Sequence, residues 1–379
     1  MPYEVTFNDT NMPTGYLASV NEDGGASVIV REFISSEDSD LFISRLEGFP
    51  SQIVSMLPLN ANISPGMIHH MLAVVRRDKT ATVYINEIDL ISTMLLSGRQ
   101  NVQVGDPISE DDILDIEKLS LENIQIPNDT GIIFVFSSGW RKGFFYDLSP
   151  LSGSDKTRNY DLEVVLGHYY TYLSFQHLFK VTEEEWATLF DQQWFPFASL
   201  KTKTRKQILH YVKNQSGVDD LLDSIALEVN EAANSMLERW KNNQFIAPSF
   251  KLIEQAMNRY LAEDYISATS ILYPQIEGIM RRVYYASNPP KKAPAKKLAA
   301  HVVQSRHENY HEYSLLLPIR FSKYLQDVYF AGFDPNQPTP VSRNSIAHGV
   351  ADPQDYSLKA STIGLLTLDQ IFYFLPIQE

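Results

Sequence analysis

Cysteine is absent from the 379 residues of this chain. Without a thiol there is no disulfide, no Cys-ligated zinc or iron–sulfur site and no cysteine nucleophile. No apolar run approaches the roughly 20 residues that a membrane-spanning helix needs, and the first residues do not read as a signal peptide. We therefore expect a soluble, cytoplasmic protein without a membrane partner and without a cofactor.

An excess of positive charge is also missing, because 32 Lys and Arg stand against 46 Asp and Glu, a net charge of −14. The imbalance is mainly N-terminal: residues 1–150 hold 9 basic and 21 acidic side chains, whereas residues 151–379 hold 23 and 25. This excludes a general basic coat for nucleic acid and restricts any polyanion site to a local patch.

The first 150 residues combine strand-like and helical patterns and are predicted to form a mixed α/β domain. Residues 71–75 and 80–85 flank a polar turn and predict a hairpin, and residues 131–136 are the strongest single strand. The acidic stretch 109–121 predicts a surface helix. Because chains of this length hold about two or three domains, we expect further domains after this one.

From Leu162 onward, apolar residues recur at steps of three and four, which is the helical period. We therefore predict an α+β protein, with a helical connector over residues 160–248 and an all-α C-terminal bundle over residues 249–379. The predicted helices cover residues 183–193, 199–214, 218–242, 249–262, 264–286, 295–306, 315–330 and 355–375.

Several familiar signatures are absent, including the phosphate loop, the dinucleotide-binding glycine motif and the hydrolase serine elbow. One match to a zinc motif is present, His307-Glu308-x-x-His311, in which both imidazoles would lie on one face if the segment formed a helix. A zinc hydrolase using these residues is one alternative. The surrounding segment is polar on all sides and has no well-placed third ligand, which favours a solvated helix end or loop.

Arginine and histidine stand five residues apart at three places, Arg205/His210, Arg306/His311 and Arg343/His348. The third has distinctive surroundings, since Ser342 is a predicted N-cap and Gly349 ends the turn. Asn344 and His348 then share one helix face. A helix N-terminus favours phosphate, because its N–H groups are free to donate hydrogen bonds and the helix dipole has its positive end there.

The string Arg343-Asn344-Ser345-Ile346-Ala347-His348-Gly349, just before the last long helix, resembles the motif of the HEPN superfamily (higher eukaryotes and prokaryotes nucleotide-binding). That motif is an arginine, a polar residue and a histidine near the end of a small helical bundle. Residues 265–285 resemble the first long helix of the family, which often carries an acidic residue, here Glu277. Pro274 within that helix departs from the family pattern. The resemblance covers about residues 250–379.

The resemblance implies a metal-independent endoribonuclease with RNA as its partner, acting as a homodimer in host defence or a toxin system. It makes Arg343, Asn344 and His348 the catalytic residues and Glu277 an accessory one. An imidazole suits proton transfer, and a guanidinium suits the phosphate. Asn344 would orient the phosphate or His348, and the N-terminal domain would bind a regulatory partner or ligand.

Two other interpretations of the same residues stay open. Some members of the superfamily only bind nucleotides or partners, so the bundle can be a non-catalytic, dimerising domain. Alternatively, Arg343 merely starts a helix and pairs with an acidic neighbour, while His348 caps a carbonyl.

A basic stretch, residues 281–297, begins within the predicted helix that contains Glu277, and Tyr284 and Tyr285 are interleaved in it. These side chains can contact RNA, or they form a solvated loop; residues 201–206 add four more cations. The predicted RNA-binding residues are Arg281, Arg282, Lys291, Lys292, Lys296 and Lys297.

Overall fold

The computed structural model describes residues 2–20, 24–97, 102–152, 157–289, 293–304, 312–334 and 341–376. The chain divides into two compact units. Unit 1 comprises Met1–Met94 and Ile116–Gln176, and unit 2 comprises Leu95–Asp115 and His177–Glu379. Unit 1 is strand-rich and unit 2 is helical, which confirms the predicted α+β class.

This division differs from the predicted three domains. The helix that begins at Leu162 belongs to the strand-rich unit, and residues 95–115 belong to the helical unit. Residues 177–248 and 249–376 lie in one unit, so the structure does not separate the predicted connector from the C-terminal bundle.

Strands and helices are numbered in chain order. The strands are β1 (Tyr3–Thr6), β2 (Tyr16–Val20), β3 (Ala26–Ile29), β4 (Arg31–Ser35), β5 (Met71–Val75), β6 (Thr80–Ile85), β7 (Leu90–Leu96), β8 (Ile113–Leu121), β9 (Gly131–Ser138) and β10 (Arg141–Asp147). The helices are α1 (Ser39–Glu47), α2 (Phe49–Ser55), α3 (Ser149–Ser152), α4 (Leu162–Ser174), α5 (Gln176–Phe179), α6 (Glu183–Asp191), α7 (Thr202–Lys213), α8 (Leu222–Lys241), α9 (Phe250–Leu261), α10 (Tyr265–Ser287), α11 (Ala295–Gln304), α12 (Pro318–Tyr324), α13 (Arg343–His348) and α14 (Leu358–Phe372).

Unit 1 is built on a six-stranded antiparallel sheet in the order β1-β6-β5-β9-β10-β4. The central strand β5 is buried at every position. Side chains alternate between the two faces of a strand, and at β5 both faces of the sheet are covered. Its residues Ala73 and Val75 join the core that Phe42 of α1 and Ile53 of α2 cover. The alternate residues of β5 face a second core that α4 covers with Leu166 and Leu173.

The predicted hairpin of residues 71–75 and 80–85 is confirmed as β5 and β6. The predicted surface helix over residues 109–121 is wrong. Its acidic residues form only one turn, Glu110–Asp112, which Ser109 caps together with Asp112, and the rest is strand β8, paired with β7. Gly167 of α4 lies against β8 so closely that a Cβ would come within 2.8 Å of the Lys118 backbone.

Unit 2 is organised around α10, which packs against α9, α11, α13 and α14. Helix α14 is buried along nearly its whole length, and its Gly364 lets it approach α10, since a Cβ there would lie 2.8 Å from Leu272. Helix α10 continues through the exposed Pro274. The helix predicted over residues 315–330 begins at Pro318 and ends in a π-helical turn, Leu325–Tyr329.

The buried helix α14 carries polar side chains that the bundle fully engages. Asp369 accepts hydrogen bonds from Arg239 at 3.0 Å and from the indole of Trp240 at 2.9 Å. Gln370 accepts from the backbone of Ala198 at 2.7 Å. Buried polar groups paired in this way specify how the helices pack. Among the described helices, none combines the length and the apolarity that crossing a bilayer requires.

Candidate functional site

The short helix α13 begins where the sequence predicts a cap. Ser342 accepts a hydrogen bond from the backbone N–H of Ser345, and the Ser345 hydroxyl accepts one from the backbone N–H of Ser342. Gly349 ends the helix with a φ of 67°, a conformation that glycine adopts without strain. The Arg343 and His348 side chains thus lie at opposite ends of one six-residue helix.

The guanidinium of Arg343 reaches α10 and forms an ion pair with Glu277. The other oxygen of the same carboxylate accepts a hydrogen bond from Nε of Arg281, one turn further along α10, at 2.7 Å. The Glu277 side chain is 6% exposed, whereas those of Arg343 and Arg281 are 28% and 34% exposed. The structure therefore brings Arg343 together with Glu277 and adds Arg281 to the pair.

Two cations around one carboxylate leave this cluster with an excess of one positive charge. Burial opposes the charge of Arg281, but its interactions with Glu277 and, to a smaller extent, with Tyr285 outweigh burial and raise the arginine's pKa. Burial and the nearby Glu277 carboxylate hold the pKa of the Tyr329 phenol well above its usual value. Each cation remains partly open to solvent, so an anion can approach the cluster.

Asn344 holds α13 to the end of the π-helical turn. Its amide nitrogen donates to the carbonyls of Phe330 at 2.9 Å and Ala331 at 3.2 Å, and its amide oxygen accepts from Arg343 at 3.2 Å. The sequence motif did not indicate these two carbonyl partners, because they follow a π-helical turn that no local pattern connects with α13. Asn344 thus positions Arg343 rather than standing free.

His348 is exposed at the C-terminal end of α13. Its ring lies against that of Phe333, with the two centroids 5.0 Å apart. Within the described part of the chain, its imidazole makes no hydrogen bond, either to Asn344 or to a carbonyl. About 7.5 Å of helix axis separates it from Arg343. Among the described residues, the imidazole therefore lies at the surface, where a bound molecule could reach it.

The predicted basic residues have different surroundings. Arg282 donates to the carbonyl of Phe245 at 2.7 Å and to Ser249 at 2.8 Å, and burial lowers its pKa. Lys296 and Lys297 are exposed at the start of α11. Lys291 and Lys292 lie outside the described residues. Arg282 thus fastens α10 to the segment before α9. Arg281 is partly exposed and paired with Glu277, whereas Lys296 and Lys297 are exposed.

The zinc motif His307, Glu308 and His311 also lies outside the described residues. In the ranges that the structure does describe, there is no group of three or more histidine and acidic side chains that would hold a metal ion. In the basic stretch 201–206, Arg205 is buried and donates to the carbonyl of Leu315. Lys206 pairs with Glu110 at 2.9 Å.

Comparison with known proteins returned no match: neither a family model, nor a curated protein, nor a solved structure corresponds to this chain. The function must therefore be argued from the side chains of the α10–α13 cluster, which we define as Glu277, Arg281, Arg343, Asn344 and His348.

Proposed function

We propose that unit 2 is a metal-independent endoribonuclease of the HEPN type, with its active site at the α10–α13 cluster. One observation carries this proposal. A partly exposed guanidinium, held in place by the buried Glu277 and by Asn344, shares a short helix with an exposed imidazole that has no hydrogen-bond partner in the described residues. RNA cleavage without a metal needs both kinds of group, a cation that binds the phosphate and an imidazole that transfers protons.

The reaction is an internal transfer of the phosphodiester. The ribose 2′-oxygen attacks the neighbouring phosphorus as a neutral imidazole of His348 takes its proton. Arg343 binds a non-bridging phosphate oxygen and stabilises the charge of the phosphorane. The bond to the 5′-oxygen then breaks, and that oxygen takes a proton from an imidazolium. The products are a 2′,3′-cyclic phosphate and a 5′-hydroxyl, and no water is consumed.

The reaction has two proton transfers, one to a neutral imidazole and one from an imidazolium, so two imidazoles in opposite protonation states serve it better than one. A homodimer that brings two copies of α13 together supplies both, with His348 of one copy as the base and His348 of the other as the acid. The exposed C-terminal end of α13 is consistent with such an arrangement.

A second function is favoured by the bonds that Arg343 and Asn344 already make. Arg343 pairs with Glu277, and Asn344 binds two carbonyls, so both residues fasten α13 to the bundle. In a non-catalytic protein this would be their whole role, and the excess positive charge would bind a nucleotide phosphate without cleaving it.

Purified protein mixed with labelled single-stranded RNA, with and without EDTA, tests the proposal. We expect cleavage that EDTA leaves unchanged, with products that end in a cyclic phosphate. His348→Ala should lower the rate by about 10²- to 10⁴-fold, which is the usual contribution of a general acid or base.

His210→Ala is the matched control, because His210 is also exposed on a helix of unit 2, five residues after an arginine. Its rate should equal that of the wild type. Cleavage that EDTA abolishes, or equal rates for the His348 variant and the wild type, would contradict the proposal. Binding of RNA without cleavage favours the second function.

A further inference from the structure

A row of aromatic and cationic side chains continues from the cluster along α10 and onto α11. Tyr284 and Tyr285 are half-buried, and their rings meet edge to face with centroids 5.6 Å apart. His301 of α11 meets Tyr284 in the same manner at 5.2 Å. Together with Arg281, these residues form what we call the α10–α11 ridge (Arg281, Tyr284, Tyr285 and His301).

The ridge is connected to the proposed active site by direct contacts. Arg281 donates from Nε to the Glu277 carboxylate at 2.7 Å, and Tyr285 follows Arg281 one turn further along the same helix. Glu277 in turn pairs with Arg343. From Glu277 to Tyr285 the helix axis advances about 12 Å, so the tyrosines lie a short distance along any strand whose phosphate is bound at Arg343.

The ridge also receives positive charge from α11. Lys297 is exposed, and it precedes His301 by four residues, so both side chains lie on one face of that helix. In the described part of the chain, Nε2 of His301 has no hydrogen-bond partner although it is buried from water. The ring of His301 lies against that of Tyr284, and aromatic rings with cations on the same helices fit a ligand that has both a flat face and negative charge.

On these grounds we infer that the α10–α11 ridge is a base-stacking subsite for an unpaired nucleotide of RNA. This inference rests on the proposed function, since it assigns that site its class of substrate. An aromatic face accepts any base and therefore confers no strong sequence preference. A base within a duplex has both faces covered by its neighbours, so the ridge selects single-stranded RNA over double-stranded RNA.

Binding is measured with the full-length His348→Ala protein, in which cleavage is prevented, using an oligonucleotide with a fluorescent purine analogue. We expect the single strand to bind more tightly than its duplex, and the analogue's fluorescence to be quenched by stacking. Tyr284→Leu and Tyr285→Leu should each weaken single-strand binding by roughly 5- to 100-fold. Tyr284→Phe and Tyr285→Phe retain the rings and should bind nearly as the parent does.

Tyr211→Leu is the matched control, since Tyr211 is half-buried among lysines on α7, and it should leave binding unchanged. If a leucine variant fails to fold, the quenching seen with the parent protein still decides, because an unstacked base is not quenched. Equal affinity for strand and duplex, absence of quenching, or equal losses in the leucine and phenylalanine variants would overturn the inference. Tyrosine-dependent binding without any cleavage by the wild type would support the ridge and refute the nuclease.

Discussion

Arg205/His210 on α7 and Arg343/His348 on α13 have the same spacing within the same unit, yet their arginines have different surroundings. Arg205 is 5% exposed and donates to the carbonyl of Leu315 at 2.8 Å. The side chain of Arg343 is 28% exposed and faces the carboxylate of Glu277. The guanidinium of Arg205 is buried inside the bundle and bound to a backbone carbonyl, whereas that of Arg343 lies at the surface within an ionic cluster.

The histidines differ as well. His210 shares a hydrogen bond of 2.9 Å with Asn214 at the end of α7, while His348 makes none within the described residues. Arg205 faces inward because it shares a buried stripe with Ile208 and Val212, three and seven residues later. Spacing within a helix thus sets which residues are neighbours, and the helix's buried face decides which of them can meet a substrate.

In the comparison of these two helices, the largest effect is expected from substituting lysine for each arginine. Arg343→Lys retains the charge that Glu277 pairs with but loses the planar fork that binds phosphate. We expect cleavage of RNA to fall by about 10²- to 10³-fold, the cost of removing one donor to a developing oxyanion. The rate of single-turnover cleavage measures it.

Arg205→Lys is the matched substitution on α7. It removes the donor geometry at Leu315 inside the fold, so we expect a lower free energy of unfolding and an unchanged cleavage rate. Equal cleavage by the Arg343 variant and the wild type would place the phosphate elsewhere.

The next effect concerns the stability that a glutamate next to each of the two helices, α13 and α7, contributes. Glu277→Gln removes the buried charge that Arg343 and Arg281 share, and leaves two cations without a counter-charge. Because both cations are partly exposed, we expect the free energy of unfolding to fall by about 2 kcal/mol, below the range for a fully buried pair. Tryptophan fluorescence follows unit 2 in particular, since Trp186, Trp194 and Trp240 belong to it.

Glu228→Gln is the control for that substitution. Glu228 is half-buried on α8 and accepts from the backbone N–H of Lys201 at 2.9 Å and from the hydroxyl of Thr204. A glutamine can accept the first bond with its oxygen and donate its amide N–H to the hydroxyl of Thr204. We expect a loss below about 0.5 kcal/mol, as for most surface substitutions. If both variants lose the same amount, Glu277 does not compensate the two arginines in the way that the contacts indicate.

How much of the site could be predicted depends on how local each feature is. The cap at Ser342, the helix start at Arg343 and the stop at Gly349 depend on residues within one turn, and these predictions are confirmed. The partners of Asn344 are the carbonyls of Phe330 and Ala331, which directly follow the π-helical turn and lie more than ten residues away. No periodicity in the sequence indicates them, because they result from how two elements pack.

The same reasoning explains the fold. Helices with a regular apolar stripe were predicted close to their observed bounds, as α9 and α10 show. Residues 109–121 were misassigned because acidic residues suggested a solvated helix, whereas they cap a single turn before strand β8. Pairing with β7 determines the structure of this segment, and the composition of the segment does not indicate that pairing.

The smallest expected effect tests whether Asn344 positions α13. Asn344→Ala removes the donor to the Phe330 and Ala331 carbonyls, so we expect the free energy of unfolding to fall by about 1 to 2 kcal/mol. Asn214→Ala is the exposed counterpart at the end of α7, and its change should stay within about 0.5 kcal/mol. Urea denaturation followed by tryptophan fluorescence compares the two. A loss at Asn214 as large as that at Asn344 would mean that the carbonyl contacts add nothing beyond an ordinary helix end, and the comparison of the two helices would then depend on Arg343 and Glu277 alone.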